Sequence, residues 1–314
     1  MRVVIVGLGV QGRKRLAVAG ADVVATVDPV APEARYQAIE EVPRDAYDAA
    51  LLCTPDQAKL ALMRFLLAQG KHVLVEKPLL ADEEHIRQLA ASARAAGVAC
   101  YTAYNHRFEP HLVRLKSVLE AGTIGPVYLM RGFYGNGTAR DIQQSPWRDQ
   151  GLGVLADLGS HLLDLVLWLL GPLPGPFTLW QGNRFENRAF DHVLFGSMGK
   201  PAIVLEGALV SWRNAFALDV YGSRGSAHVH GLCKWGPSHF ILRRRVLPSG
   251  KPTEDACTLE CPDPTWALEY QHFRQLCVQR GATVDNDLWI NRALNGMVCE
   301  IEEVSGTFPA LKSV

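Results

Sequence analysis

Asp157, His161 and Asp164 interrupt an otherwise almost wholly apolar run in the middle of the chain, Val154–Leu170. On a helix, offsets of four and seven place them on one stripe. Burying an unpaired charge is costly, so such a stripe must face partners, water or a ligand. An imidazole titrates near neutral pH and suits a group that takes a proton from a hydroxyl in one direction and returns it in the other. From this helix alone, His161 and Asp164 satisfying each other inside a core is an equally good account. A second constellation opens the chain, where Gly7-Leu8-Gly9-Val10-Gln11-Gly12 follows the apolar run Val3–Val6. Gly7, Gly9 and Gly12 permit a tight turn and close approach of backbone to a pyrophosphate, which would sit on the N-terminus of the helix that Val10 and Gln11 begin. Asp28, about 20 residues further on, stands where a carboxylate accepts hydrogen bonds from an adenosine ribose. It would repel a 2′-phosphate, and Pro29-Val30-Ala31 offers no cation to bind one, so NAD is expected ahead of NADP. Arg13-Lys14-Arg15 is the opposing feature, either a charge available to both cofactors or a solvated basic face.

These residues need a scaffold. From Met1 to about Asn105, β-branched runs at Val3–Val6, Val23–Val27, Ala49–Cys53, Val73–Glu76 and Val98–Tyr101 alternate with helical stretches, of which Asp56–Gln69 and Asp82–Ala96 close on Gly70 and Gly97. Near-continuous apolar strands separated by helices imply a parallel sheet covered on both faces, a doubly wound α/β domain over residues 1–105. Beyond it come a helix at Pro110–Ala121, a strand at Val127–Tyr134, the helix Val154–Leu170, and strand candidates at Phe177–Arg184, His192–Met198, Ile203–Trp212, Ala217–Tyr221, Ala227–Gly231 and Phe240–Val246. Strands following one another without intervening helices argue an antiparallel sheet in an α+β domain over residues 106–314, closed by helices at Thr265–Gln279 and Asp285–Glu303.

Composition excludes several classes. The 314 residues carry 32 basic and 32 acidic side chains, so no net field holds a nucleic acid or an anionic membrane. The opening apolar run is too short for a signal segment, and Leu162–Leu170 falls far below the roughly 18 residues that span a bilayer. A cytoplasmic protein is expected. The seven cysteines are odd in number and scattered, which argues against a disulfide framework, and Cys257 with Cys261 has no second pair to complete a structural zinc site.

Four further segments carry a family resemblance: Cys53-Thr54-Pro55, Val75-Glu76-Lys77-Pro78-Leu79, Tyr104-Asn105-His106-Arg107-Phe108-Glu109-Pro110, and Gly151 to Asp164. Their order and spacing resemble the glucose–fructose oxidoreductase and inositol dehydrogenase family over essentially the whole chain, most loosely after about Trp180. The resemblance implies a Rossmann domain followed by a mostly antiparallel open sheet, with an NAD(P)-dependent dehydrogenase activity on a sugar-like hydroxyl or carbonyl compound. It implies cofactor contacts from Thr54, Pro55, Glu76 and Lys77. Lys77 would stabilise alkoxide character on the reacting oxygen, Asp157 would orient substrate or imidazole, and His161 would act as general base and acid. Trp147-Arg148 resembles a family pair that reaches toward cofactor and substrate. Arg148, with Arg107 second to it, could hold a carboxylate or phosphate in a forked contact, as in a uronic acid or nucleotide sugar. Two other readings stand beside this one: a non-catalytic NAD-binding sensor of the same fold, and a metal-dependent dehydrogenase using Asp157 and His161.

Two departures from the family pattern matter. The segment between Asp28 and Cys53 is short, so a loop is expected in place of a helical crossover, with one strand very short or absent. Leu152 stands where another glycine is usual. The strand candidate Ile203–Trp212 is more apolar than one buried face requires, and the resemblance implies that a second subunit covers the other face, giving a homodimer or a dimer of dimers.

Overall fold

The computed structural model describes residues 1–145, 148–281 and 283–305, with 299–305 given as backbone only. Five parallel strands, β1 (Val3–Val6), β2 (Val23–Val27), β3 (Ala49–Leu52), β4 (His72–Glu76) and β5 (Cys100–Ala103), form a sheet in the order β2-β1-β3-β4-β5. Every residue of β1, β3 and β5 is buried, as continuous apolar strands between helical layers require. Helices α1 (Val10–Ala19), α2 (Asp56–Ala68) and α3 (Glu83–Ala96) alternate with the strands. Asp82 caps α3 by accepting the His85 N–H at 2.8 Å, and Gly97 ends it with φ +63°, which only a glycine adopts without strain. No helix follows β2. Residues 28–48 cross to β3 through two single 3₁₀ turns, and Tyr36 makes one parallel bridge to Val27 in place of a full strand.

The next part of the chain builds a larger sheet. After α4 (Pro110–Glu120) come β6 (Val127–Gly135), the short α5 (Ala139–Gln143), a π turn at Leu155–Gly159 and α6 (Ser160–Leu170). Seven strands follow: β7 (Thr178–Asn183), β8 (His192–Ser197), β9 (Ala202–Ala208), β10 (Ala215–Gly222), β11 (Gly225–His230), β12 (Ser238–Val246) and β13 (Gly250–Leu259). The sheet order is β13-β12-β11-β10-β6-β9-β8-β7, antiparallel except where β6 lies parallel to β9. One face is apolar and buried, with Met130, Phe195, Leu205, Leu218, Val229 and Phe240 at 0% exposure.

Three expectations change. β9 stops at Ala208 rather than Trp212, whose φ of +57° breaks extension. The strand alternates after all: Ile203 and Leu205 are buried while Ala202, Val204 and Glu206 are half-buried. β13 was not anticipated, because its polar sequence Gly-Lys-Pro-Thr-Glu-Asp carries no buried period; it is an exposed edge strand held by pairing to β12.

The chain closes with α7 (Thr265–Gln279) and α8 (Asp285–Ser305). Its compact units are Met1–Phe108 with Pro264–Asn291, and Glu109–Asp263 with Arg292–Val314. Instead of one cut near residue 105, the segment holding α7 returns to the first unit, where Tyr270, Phe273 and Cys277 join the core cluster of Val3, Ile5 and Leu51. No helix among the described residues is long and apolar enough to cross a membrane.

Candidate functional site

In the first unit the glycine turn joins β1 to α1. A Cβ on Gly7 would lie 2.5 Å from the Cys53 carbonyl oxygen, and one on Gly12 would lie 1.8 Å from the Gly7 carbonyl oxygen, so both are glycine because strand end, turn and helix pack backbone to backbone. Gly9 is different: nothing lies within 4 Å of where its Cβ would be. Packing within the chain does not require a glycine there, whereas an incoming pyrophosphate does. Gly9 is also the N-cap of α1 without a side-chain cap, the first turn has no acidic residue, and Val10 is exposed. Thr54, at the end of β3 beside this turn, has a buried hydroxyl without a hydrogen-bond partner. These features fit a dinucleotide, with Gly9, Val10 and Gln11 at its phosphates and Thr54 and Pro55 along its edge.

Asp28 closes the turn. Its Oδ2 accepts the Leu8 N–H at 2.7 Å, and its Oδ1 accepts the N–H groups of Val30 and Ala31, each at 2.9 Å. Burial works to raise its pKa, but the three N–H donors win and hold the carboxyl below its usual range. A carboxylate has about four acceptor sites, so one remains for a ribose hydroxyl. Arg13 braces the same turn, with Nε donating to the Leu8 carbonyl at 3.1 Å and its other end on Glu33 at 2.5 Å.

Arg15 overturns the reading of a basic face. It is 1% exposed, and its guanidinium meets Glu76 at 2.7 Å and Glu269 of α7 at 2.6 Å while stacking 4.4 Å from the Trp266 ring centre. Glu76, expected at the cofactor, is therefore committed to an internal ion pair. Burial pushes the Glu269 carboxyl up to about 7 despite Arg15 beside it. Burial likewise raises the Cys53 thiol, which makes it a small hydrophobe rather than a nucleophile.

Lys77 follows directly after β4 and is half-buried, and the Lys77–Pro78 bond is cis. Lys59 supports this turn and was missed. It is 3% exposed on α2, donates to the Pro78 carbonyl at 2.7 Å and pairs with Asp56 at 2.6 Å. The signal was present, since Lys59 shares the buried stripe of Met63, Leu66 and Leu67. Burial lowers its pKa, with Asp56 opposing. Arg107 also belongs to the first unit, half-buried in a 3₁₀ turn at Asn105–Phe108.

In the second unit, Asp157 and His161 are brought together on a helix that is not uniformly α. Asp157 sits in the π turn, half-buried, and His161 begins α6 at 6% exposure. The i, i+4, i+7 stripe assumed α geometry throughout; the wider turn re-aims Asp157, as π turns often do at functional positions. Asp164, the third residue of the stripe, is 1% exposed. Around His161 stand residues the sequence did not single out. The Tyr134 ring on β6 lies 5.8 Å from the His161 ring and 5.8 Å from Trp235, and Lys234 Nζ is 3.5 Å from the Tyr134 hydroxyl. Burial, and then the charge of Asp157, raise the Tyr134 phenol. Asp157, His161, Tyr134, Lys234 and Trp235 thus form one polar and aromatic group. Arg148 is exposed, its N–H bonded to the Ser145 carbonyl at 2.8 Å, and Trp147 lies outside the described residues. The six described cysteines are free thiols.

A Rossmann sheet with a dinucleotide turn, followed by a mixed sheet and a helix on which nearly buried His161 stands beside half-buried Asp157, defines the class of two-part nicotinamide oxidoreductases. Residues 1–104 match the family of oxidoreductases with an NAD-binding Rossmann fold, and residues 112–228 match the GFO/IDH/MocA C-terminal domain. The chain belongs to the GFO/IDH/MocA family and is an NAD(P)-dependent oxidoreductase. It is 28% identical over 191 residues to the oxidoreductase YdgJ of Escherichia coli K12, a match spanning 59% of this chain and 54% of that protein. It is 26% identical over 254 residues to trans-1,2-dihydrobenzene-1,2-diol dehydrogenase of Bos taurus, covering 78% of this chain and 73% of the other. Levoglucosan dehydrogenase, solved in complex with NADH, shares the fold with a TM-score of 0.80 at 16% identity, over 96% of this chain and 97% of that one.

Proposed function

We propose that the protein is an NAD-dependent dehydrogenase that interconverts a secondary hydroxyl and a carbonyl on a sugar or sugar-like cyclic alcohol. The observation that carries this reading is the near-complete burial of His161 against Tyr134, with Asp157 in the adjoining π turn. Bound at Gly7–Gly12, NAD supplies the hydride acceptor. His161 removes the hydroxyl proton during oxidation and returns it during reduction. Lys77 donates a hydrogen bond to the same oxygen and stabilises its alkoxide character. Asp157 orients the imidazole or a neighbouring substrate hydroxyl. The names of the bovine diol dehydrogenase and of levoglucosan dehydrogenase agree with a substrate of this kind. Arg107 and Arg148 are assigned to an anionic group on the substrate, as in a uronic acid or nucleotide sugar.

A panel of sugars, cyclic diols and sugar nucleotides, followed at the nicotinamide absorbance with both cofactors, tests the reading. At least one compound is expected to turn over, with NAD(H) bound more tightly than NADP(H) because Asp28 accepts a ribose hydroxyl and repels a 2′-phosphate. Preference for NADP(H) would remove the role given to Asp28. Tight cofactor binding without turnover across the panel would favour the sensor reading. The face of the larger sheet that carries half-buried Leu129, Phe133, Val204 and Ile241 is read as the pairing surface of a homodimer or dimer of dimers. Light scattering is expected to give a multiple of the 34.5 kDa chain mass, and a monomer mass would contradict it.

A further inference from the structure

A separate group of titratable side chains lies in the larger sheet. Asp219 on β10 pairs directly with His228 on β11, and His230 is two residues further along β11, so all three project from one face. It is the face opposite buried Leu218, Val220, Ala227 and Val229. Asp219 Oδ1 is the meeting point, with His228 Nδ1 at 2.6 Å and His230 Nε2 at 3.1 Å, and the three atoms all lie within 4.8 Å of one another. Hydrogen bonds from the two imidazoles hold the Asp219 carboxyl well below the usual carboxylate range. His228 is buried and His230 is exposed in the single chain, and the group lies on the same sheet face that is read above as the pairing surface.

The surroundings fix the tautomer that ligation would have to change. His228 Nε2 faces Ser226 Oγ at 2.9 Å and Arg243 at 3.3 Å, and Arg243 is held in turn by Glu254 at 2.8 Å. Arginine only donates, so the Nδ1 of His228 carries the proton in this arrangement and donates it to Asp219. For Nδ1 to ligate a cation, that proton moves to Nε2, where Ser226 Oγ can accept it and Arg243 keeps Glu254. An outer partner of this kind fixes the tautomer of a ligating histidine. His239 on β12 is the cross-strand neighbour of His230, with its Nδ1 2.9 Å from Thr258 Oγ1, and it too is exposed in the single chain. Three ligands at zinc bonding distance in tetrahedral geometry lie about 3.3 Å apart. The present separations reach that by side-chain shifts of under about 1 Å.

We propose that Asp219, His228 and His230 form a binding site for a divalent transition-metal ion of the zinc class, with a fourth position open to water or to His239. Two imidazoles and a carboxylate favour zinc, cobalt, nickel or copper over magnesium or calcium. The ligands lie on the sheet face opposite the buried apolar one, so the ion has no part in the proton transfer assigned to His161.

Untagged full-length protein, stripped with a chelator and equilibrated by dialysis against Co²⁺, tests the site. About one ion per chain is expected, with a visible ligand-field band that Zn²⁺ abolishes. Zn²⁺ titration calorimetry should give a dissociation constant in the micromolar range or tighter. Asp219→Asn and His230→Ala should each weaken binding by more than about tenfold while leaving the circular dichroism unchanged, since His230 is exposed. His192→Ala is the control, because His192 makes an ordinary pair with Glu206 at 3.1 Å on the same sheet and should not matter. Weaker binding by the parent protein, or binding that Asp219→Asn and His230→Ala leave intact, overturns the proposal.

Discussion

Replacing Lys77 or His161 by alanine is expected to lower turnover by roughly a hundredfold or more while the affinity for the nicotinamide cofactor changes little. His161 is nearly fully buried against the Tyr134 ring and belongs to the second unit, whereas the glycine turn belongs to the first, so its loss removes a proton carrier and leaves the dinucleotide contacts in place. Lys77 follows β4 in a turn that Lys59 supports through the Pro78 carbonyl, so Lys77→Ala removes an ammonium group and not the turn itself. Stopped-flow and steady-state kinetics with the best substrate of the panel, alongside cofactor titration by fluorescence, separate the two effects. Turnover within a few-fold of the parent for either variant would dismiss the role assigned to that residue.

The largest effect on stability is expected from Glu269→Ala. Arg15 is buried between Glu76 and Glu269, and deleting the Glu269 side chain leaves a guanidinium N–H in the core without its acceptor and, above about pH 7, without half its charge compensation, at a cost of about 3 kcal/mol. Chemical denaturation should show this as a lower midpoint, and a loss below about 1 kcal/mol would contradict it. Glu269 also predicts the sign of a pH effect. Its carboxyl titrates near 7 in the fold against an ordinary value of 4.5, so the folded state holds a proton that the unfolded chain has released. The stability contribution is complete below about 4.5 and is lost as the pH rises toward 7. The stability of the parent minus that of Glu269→Gln should therefore fall over that window, by on the order of 1 kcal/mol or more. A difference that stays flat or grows with pH would show that Glu269 is ionised throughout.

Much of this molecule was legible in its residues. The glycine turn, Asp28, the parallel strands and the caps of α3 depend on local sequence, where a glycine or an aspartate has a short-range reason to be in place. The loop after β2 was legible too, from a segment too short for a helical crossover. What was hidden depends on partners far along the chain. Arg15 lies among basic neighbours at the start of α1, and nothing nearby announces that Glu269, 254 residues later, will bury it. Helix periodicity carries the one local sign, since Arg15 shares the buried face of α1 with Gly12 and Ala19. Tyr134 and Trp235 were equally opaque as site residues, because an aromatic side chain on a strand or in a loop is usually core. The π turn was invisible for a further reason: nothing in Leu155–Gly159 separates a wide helical turn from an α-helical one, and only packing shows that the turn is wider.

The return of α7 has a consequence for how the polypeptide is made. While the ribosome is still translating the larger sheet, the nascent first unit has its five strands but lacks Tyr270, Phe273 and Glu269, so one hydrophobic cluster is unfinished and Arg15 has only Glu76. Domains emerging from the ribosome usually fold as contiguous units in order of synthesis. Here the dinucleotide-binding unit must wait for Pro264–Asn291, after the whole larger sheet has been translated, before its core and its buried charges are complete. Nascent chains halted before Thr265 should therefore be readily cut by protease within the first hundred or so residues and occupied by chaperones, whereas chains extended past Asn291 should resist both.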